Sequence, residues 1–354
     1  MPELPEVETV ARDLRGLILG ATITGATCHW PRTLRTHEPE AIGPALAGRL
    51  VHAVGRRGKQ LVLELSGGAV LTIHLKMTGQ LFVVPAGAPL DPYVRLVVGL
   101  ADGRELRFRD IRKFGKVGLY DLDPATGEPV LEPGGAAVFA GTGPEPLDAT
   151  FTPRAFRLRL RSRRGRLKSL LLDQAFVAGG GTIYADEALW AARLHPLRSA
   201  GTLRPPDERR LYEAVRRILA EAIERRGSSI DDYTAPEGDG SMQERLLVYQ
   251  CAGQPCHRCG RPIRRIVIGG RATHFCSWCQ RLPAADRKGS AAILREMVPR
   301  PGRAPGRRGR RWTELDGQSA LGRTVDEMTA VADRTRRAAA TRRAAARASV
   351  GAGR

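Results

Sequence analysis

The sequence predicts an α+β fold: a leading helix and a β-sandwich, then a helical region, then a small β-hairpin carrying cysteines. Four observations predict it. Apolar residues recur at helical spacing in the first 20 residues, alternate with period two from there to about residue 122, and return to helical spacing after residue 154. Five of the six cysteines fall between residues 251 and 279.

The opening helix is marked by Pro5, suited to a first turn, by Glu6 and Glu8, which complement the helix dipole, and by Val7, Val10, Ala11, Leu14 and Leu17 on one face. Short strands follow. Leu71, Ile73 and Leu75 alternate with Thr72 and His74, and Leu106 and Phe108 alternate with Glu105, Arg107 and Arg109. Turns are expected at Ser66-Gly67-Gly68 and Asp102-Gly103. A Gly/Pro-rich stretch reads as a linker over 123–153. Helices are expected over Leu167–Phe176, Ala185–Leu194 and Asp207–Arg226, the last closed by Gly227. Strands Arg264–Ile268 and Arg271–Phe275 turn at Gly269-Gly270. The division expected is therefore 1–122, linker 123–153, a helical region 154–250, a cysteine module 251–281 and a tail 282–354.

Charge narrows the partners. The 354 residues carry 57 Lys and Arg against 37 Asp and Glu, a formal +20. That surplus points to a polyanion, nucleic acid first. No apolar run is long enough to span a membrane, and the mixed, acidic start is not a secretory signal, so a cytoplasmic location is expected. Residues Arg281 to Arg354 hold 18 Lys/Arg and 7 Asp/Glu, so +11 of the +20 lies there. With few large apolar residues to repay ordering, this segment reads as a disordered basic tail, with a transient helix over Val325–Ala348. Counterion release is what such a tail would contribute to binding.

Two constellations carry chemistry. Cys256-x-x-Cys259, sixteen residues, then Cys276-x-x-Cys279 is the spacing of a tetrahedral Zn²⁺ site. Four sulfurs leave no open position, so the expected zinc is structural. Arg261, Arg264, Arg265 and Arg271 make the module a candidate grip on phosphates. At the other end stands Met1-Pro2-Glu3. Removal of Met1 would expose a secondary amine at Pro2; an α-amino group has a pKa about 7.7–8.0 against about 10.4 for Lys, so far more of it is nucleophilic at neutral pH. Attack on a sugar C1′ gives an iminium that expels a base and acidifies the C2′ proton. Glu3 beside it is placed to act as a general acid.

The segments Pro2-Glu3-Leu4-Pro5-Glu6-Val7-Glu8-Thr9, Arg57-Gly58-Lys59, His74-Leu75-Lys76-Met77-Thr78-Gly79, Asp110-Ile111-Arg112-Lys113-Phe114-Gly115, Gly143-Pro144-Glu145-Pro146-Leu147, Ile183-Tyr184-Ala185-Asp186-Glu187 and Phe275-Cys276-Ser277-Trp278-Cys279-Gln280 occur in one order. Together they resemble the bacterial formamidopyrimidine-DNA glycosylase family, over residues 2 to about 280. Leu4 and Val7 favour its oxidised-purine branch over the endonuclease VIII branch. The resemblance implies a helix–two-turn–helix DNA-binding region and a β-hairpin zinc finger. It also implies a monomeric, bifunctional glycosylase and AP lyase of base excision repair. Its partner would be double-stranded DNA containing oxidised bases such as 8-oxoguanine and formamidopyrimidines, or abasic sites. By residue, it implies Pro2 as Schiff-base nucleophile, Glu3 as proton donor, Lys59 for β-elimination and Arg271 for δ-elimination. Met77, Arg112 and Phe114 match the wedge that fills the hole left by the flipped base, and Lys168, Thr182 and Tyr93 stand at expected DNA contacts.

The chain departs from that pattern in places. Gly179-Gly180-Gly181-Thr182 puts threonine where the family carries a phosphate-holding asparagine, a loss of roughly 1 kcal/mol of hydrogen bonding. Asp91-Pro92-Tyr93 stands in place of a His-x-His pair, and Gly238 to Met242 differ from the usual lesion-capping loop. Two other readings stay open: a sibling acting on oxidised pyrimidines, and a DNA-binding paralogue without activity.

Overall fold

The computed structural model describes residues 2–132, 135–229 and 238–295. Helix α1 (Leu4–Ile18) is the keystone. Glu3 caps it through a capping box with Glu6, and its apolar residues divide between two cores. Val7, Val10, Ala11, Leu14 and Ile18 enter the core of the β-sandwich, whereas Leu4 enters that of the helical region.

The sandwich follows from alternation. Strands β1 (Ile23–Cys28), β2 (Val51–Arg57), β3 (Gln60–Leu65), β4 (Ala69–His74), β5 (Gly79–Pro85), β6 (Val94–Leu100), β7 (Arg104–Asp110), β8 (Lys116–Leu122) and β9 (Pro129–Val130) form two antiparallel sheets. Their orders are β1-β6-β7-β5 and β2-β3-β4-β8-β9. Leu61, Leu63, Leu71 and Ile73 of one sheet meet Leu81, Leu96, Leu106 and Phe108 of the other. Helix α2 (Pro39–Leu46), which the period-two pattern did not predict, inserts Ile42 and Leu46 into the same core.

The stretch read as a linker is more structured than its composition suggests. It supplies β9, and it buries Phe139 and Phe151. The helical region then comprises α3 (Pro153–Arg161), α4 (Leu167–Leu172), α5 (Thr182–Ala191) and α6 (Pro205–Glu224). Helix α4 stops at Leu172, before the expected Phe176, and α5 begins at Thr182, before the expected Ala185. Helix α4 ends at its cap residue Asp173, and Gly181, the last of Gly179-Gly180-Gly181, is the N-cap from which α5 starts. Leu211, Ile218 and Ala222 of α6 pack on Ile183, Ala188 and Leu189 of α5.

Strands β10 (Arg264–Ile268) and β11 (Arg271–Phe275) form the predicted hairpin in the predicted register, with Ile268 opposite Arg271. The expectation of a disordered tail from residue 282 needs correction. Residues 284–295 form α7 (Ala284–Arg287), a 3₁₀ turn and α8 (Ala291–Arg295). Leu282, Ile293 and Leu294 pack on Leu197, Ile266, Ile268 and Phe275. The short apolar set Leu282, Ile293 and Leu294 was too sparse to stand out among the surrounding arginines. The helix expected over Val325–Ala348 lies outside the described residues. Among the described residues no helix is long and apolar enough to cross a membrane.

Candidate active site and nucleic-acid interface

Pro2 and Glu3 lie buried where α1, the β2–β3 hairpin and the start of α5 meet. The Glu3 carboxylate faces the first turn of α5. Its Oε1 accepts from the Ile183 amide at 3.0 Å and its Oε2 from that of Tyr184 at 3.5 Å. Leu4 is tied to the same turn, its amide donating to the Gly179 carbonyl at 3.0 Å. The glycines here are a steric requirement. A Cβ on Gly181 would come within 2.2 Å of Glu3 Cδ, and one on Gly179, at φ +79°, within 2.6 Å of Leu4 Cβ. Burial pushes the Glu3 carboxyl up, against the opposing pull of Lys59.

A second buried carboxylate, Glu6, holds this arrangement. It accepts from the Glu3 amide at 2.8 Å, from the Ser228 amide at 2.8 Å, and from the hydroxyls of Ser228 and Tyr184. Burial beside Glu6 raises the Tyr184 phenol well above its ordinary value, so it remains a donor. Asp13 adds a two-pronged pair with Arg226, at 3.0 and 2.8 Å. The N-terminal residues are thereby fixed to both halves of the molecule.

Lys59 stands at the tip of the β2–β3 hairpin. Burial lowers its ammonium, Glu3 and Glu6 raise it, and Arg271 and Lys76 lower it again. The cation at the zinc hairpin is therefore felt at the Pro2 end of the site. Glu145 fixes the hairpin: it pairs with Arg56 at 2.5 Å and Arg57 at 3.0 Å, and accepts from the Gly58 amide at 2.6 Å. Burial works against its charge, but the two arginines and the Gly58 amide prevail, leaving the carboxyl below its ordinary range.

Met77, Arg112 and Phe114 lie on two neighbouring loops, β4–β5 and β7–β8, and all three are exposed. The Arg112 guanidinium stacks over Phe114 at 5.0 Å. One buried carboxylate, Asp110, joins the loops. It accepts from the Thr78 hydroxyl at 2.6 Å and the Gly115 amide at 2.7 Å, and Thr78 in turn accepts from the Arg112 amide. An exposed methionine and phenylalanine are thus held outside the core, on loops joined by one polar frame.

Three expected DNA contacts sit differently from one another. Thr182 is half-buried at the first turn of α5. Tyr93 is flanked by the guanidinium groups of Arg109 at 5.2 Å and Arg95 at 5.9 Å. Asp91 pairs with Arg109 at 2.9 Å, so the substitution noted in the sequence consumes a cation. Lys168 is the correction. Its side chain is fully buried, and its ammonium donates to Asp186 Oδ1 at 2.7 Å and the Thr182 carbonyl at 2.8 Å. It holds the start of α5 from inside and presents nothing to a phosphate.

The four cysteine sulfurs lie within 4.8 Å of one another, with 3.9 Å from Cys256 to Cys279 and 3.5 Å from Cys259 to Cys276. A tetrahedron with Zn–S bonds of 2.3 Å has edges of about 3.8 Å, so the set fits one Zn²⁺ with all four positions filled. Helix α5 anchors the module. Asp186 accepts from the His274 amide at 2.8 Å, and Glu187 accepts from the amides of Leu247, Val248 and Tyr249 at 2.9–3.1 Å. Gln280 accepts from the Cys276 amide and donates to the Leu194 carbonyl. Arg271 is exposed at the hairpin turn.

Sequence reasoning missed Glu6, Asp110, Glu145, Asp186 and Glu187 as the frame behind the site. Glu6 alone had a usable signal, standing three residues after Glu3 as in a capping box.

Family models match along the chain: formamidopyrimidine-DNA glycosylase N-terminal domain over residues 1–117, formamidopyrimidine-DNA glycosylase H2TH domain over 142–234, and the zinc finger found in FPG and IleRS over 253–282. The formamidopyrimidine-DNA glycosylase of Chloroflexus aurantiacus is 47% identical over 282 residues, covering 79% of this chain and 98% of the relative. That of Herpetosiphon aurantiacus is 44% identical over 282 residues, covering 79% and 100%. Among solved structures, a Lactococcus lactis Fpg in complex with an abasic site containing DNA is 36% identical. It superposes with a TM-score of 0.72, covering 79% of this chain and 99% of that one.

Proposed function

The chain belongs to the formamidopyrimidine-DNA glycosylase family, and from that premise we propose that it excises oxidised purines from duplex DNA and cleaves the strand by β- and δ-elimination, with Pro2 as the nucleophile. The observation that carries the residue assignment is the buried Glu3 carboxyl, raised by desolvation, beside Pro2 and within electrostatic reach of Lys59. That is an acid and an amine whose environments shift both toward their neutral forms, the condition for exchanging protons near neutral pH.

In the proposed sequence the Pro2 nitrogen, freed by removal of Met1, bonds to C1′. The bond from C1′ to the base nitrogen breaks, and the base leaves with the proton that the Pro2 nitrogen gives up on bonding to C1′. Glu3 protonates the ring oxygen as the sugar opens, giving the iminium. Loss of the C2′ proton, with Lys59 in its lowered state as acceptor, expels the 3′-phosphate in β-elimination. A second elimination expels the 5′-phosphate, with Arg271 placed to neutralise its developing charge. Met77, Arg112 and Phe114 fill the vacated stack, repaying part of the few kcal/mol that flipping costs. The four cysteines hold a Zn²⁺ that shapes the hairpin and offers no open position to substrate.

Excision from duplexes holding one 8-oxoguanine or one dihydrothymine tests the substrate class. The expected result is at least about tenfold faster release of 8-oxoguanine, leaving a gap with phosphate at both ends. Faster release of dihydrothymine would transfer the reading to the pyrimidine-acting branch.

A further inference from the structure

The relatives described above are matched almost to their full length by 79% of this chain, yet the fold continues past the zinc module. We propose that residues 283–294 form a strap that positions the turn of the zinc hairpin, and with it Arg271. An isolated two-stranded hairpin is marginally stable, so β10–β11 depends on what covers it. The cysteines secure only the end where Cys276 follows Phe275. At the other end, the turn Gly269-Gly270 places Ile268 directly opposite Arg271. The inward face of β10 there, Ile266 and Ile268, is 4% and 3% exposed, and Leu282, Ile293 and Leu294 complete its cover. Polar ties bind the strap to the helical region. Thr202 Oγ1 donates to Asp286 Oδ2 at 2.9 Å, and Arg166 donates to the Gly289 carbonyl. Ser290 of the strap is itself buried. Metal and strap thus hold opposite ends of one hairpin.

Ile293 and Leu294 act through Arg271 and are positioning residues; the effect on elimination rests on the reading of Arg271 above, whereas the strap itself does not. The test is the full-length chain carrying I293D and L294D. Hydrogen exchange of amides 266–274 is expected to quicken roughly tenfold or more, while those of α5 keep the wild-type rate, showing that the rest of the fold is intact. On abasic-site DNA the share of δ-elimination product is expected to fall several-fold, toward that of R271A, with borohydride trapping through Pro2 unchanged. The conservative pair I293V and L294M should restore both. Wild-type exchange at 266–274 in the aspartate variant would overturn the strap. Faster exchange with an unchanged δ share in both I293D/L294D and R271A would leave the strap standing and overturn the role of Arg271. Faster exchange with δ loss in R271A alone would overturn the positioning.

Discussion

At the scale of single residues, burial withholds water from two groups of opposite charge type, Glu3 and Lys59. Burial favours the neutral form of both Glu3 and Lys59, while each pulls the other back toward charge. The raised Glu3 carboxyl has a consequence for stability. The folded chain holds that proton to higher pH than the unfolded chain does. Its contribution is therefore complete below the ordinary carboxylate range and is lost as pH rises through the raised value. Glu3→Gln removes that loss. At pH 8 the variant is expected to melt roughly 2–4 °C higher than wild type, with the gain shrinking toward pH 5. Strand cleavage should at the same time slow by at least about a hundredfold. Calorimetry at the two pH values and a gel assay of cleavage check both halves. A variant that melts lower at pH 8 would mean the charged carboxylate is favoured in the fold.

At the scale of elements, α5 organises everything around it. Its first turn receives Glu3, its buried Asp186 and Glu187 hold the zinc module, and Lys168 braces it from α4. Lys168→Met breaks a fully buried pair and is expected to cost about 3 kcal/mol of stability. Because that lysine faces inward, the dependence of DNA affinity on salt should keep its slope, where loss of a phosphate contact would flatten it by about one unit. Binding titrations across salt concentrations distinguish the two. A flattened slope would return Lys168 to the DNA surface.

At the scale of the whole molecule, the order of the motifs was legible in the sequence, and so were the sandwich, the zinc ligands and the hairpin register, because each is a matter of local spacing. What stayed hidden joins distant parts of the chain. Glu6 reaches Ser228, Glu145 reaches the β2–β3 hairpin, and Ile293 reaches β10, none of which leaves a periodic trace. Lys168 was misplaced for a related reason: the resemblance set it among the DNA contacts, and only packing reveals the aspartate it faces. The basic segment beyond residue 295 lies outside the described residues, and its expected contribution to binding belongs to the chain's charge rather than to this fold.

All of these scales converge on the Pro2 nitrogen. Borohydride reduction during turnover of an 8-oxoguanine duplex, followed by peptide mass spectrometry, tests it most directly. The expected result is a covalent protein–DNA adduct whose sugar remnant maps to Pro2 of the Met1-processed chain. Processed protein that forms no adduct, or one that maps to Lys59 instead, would contradict it.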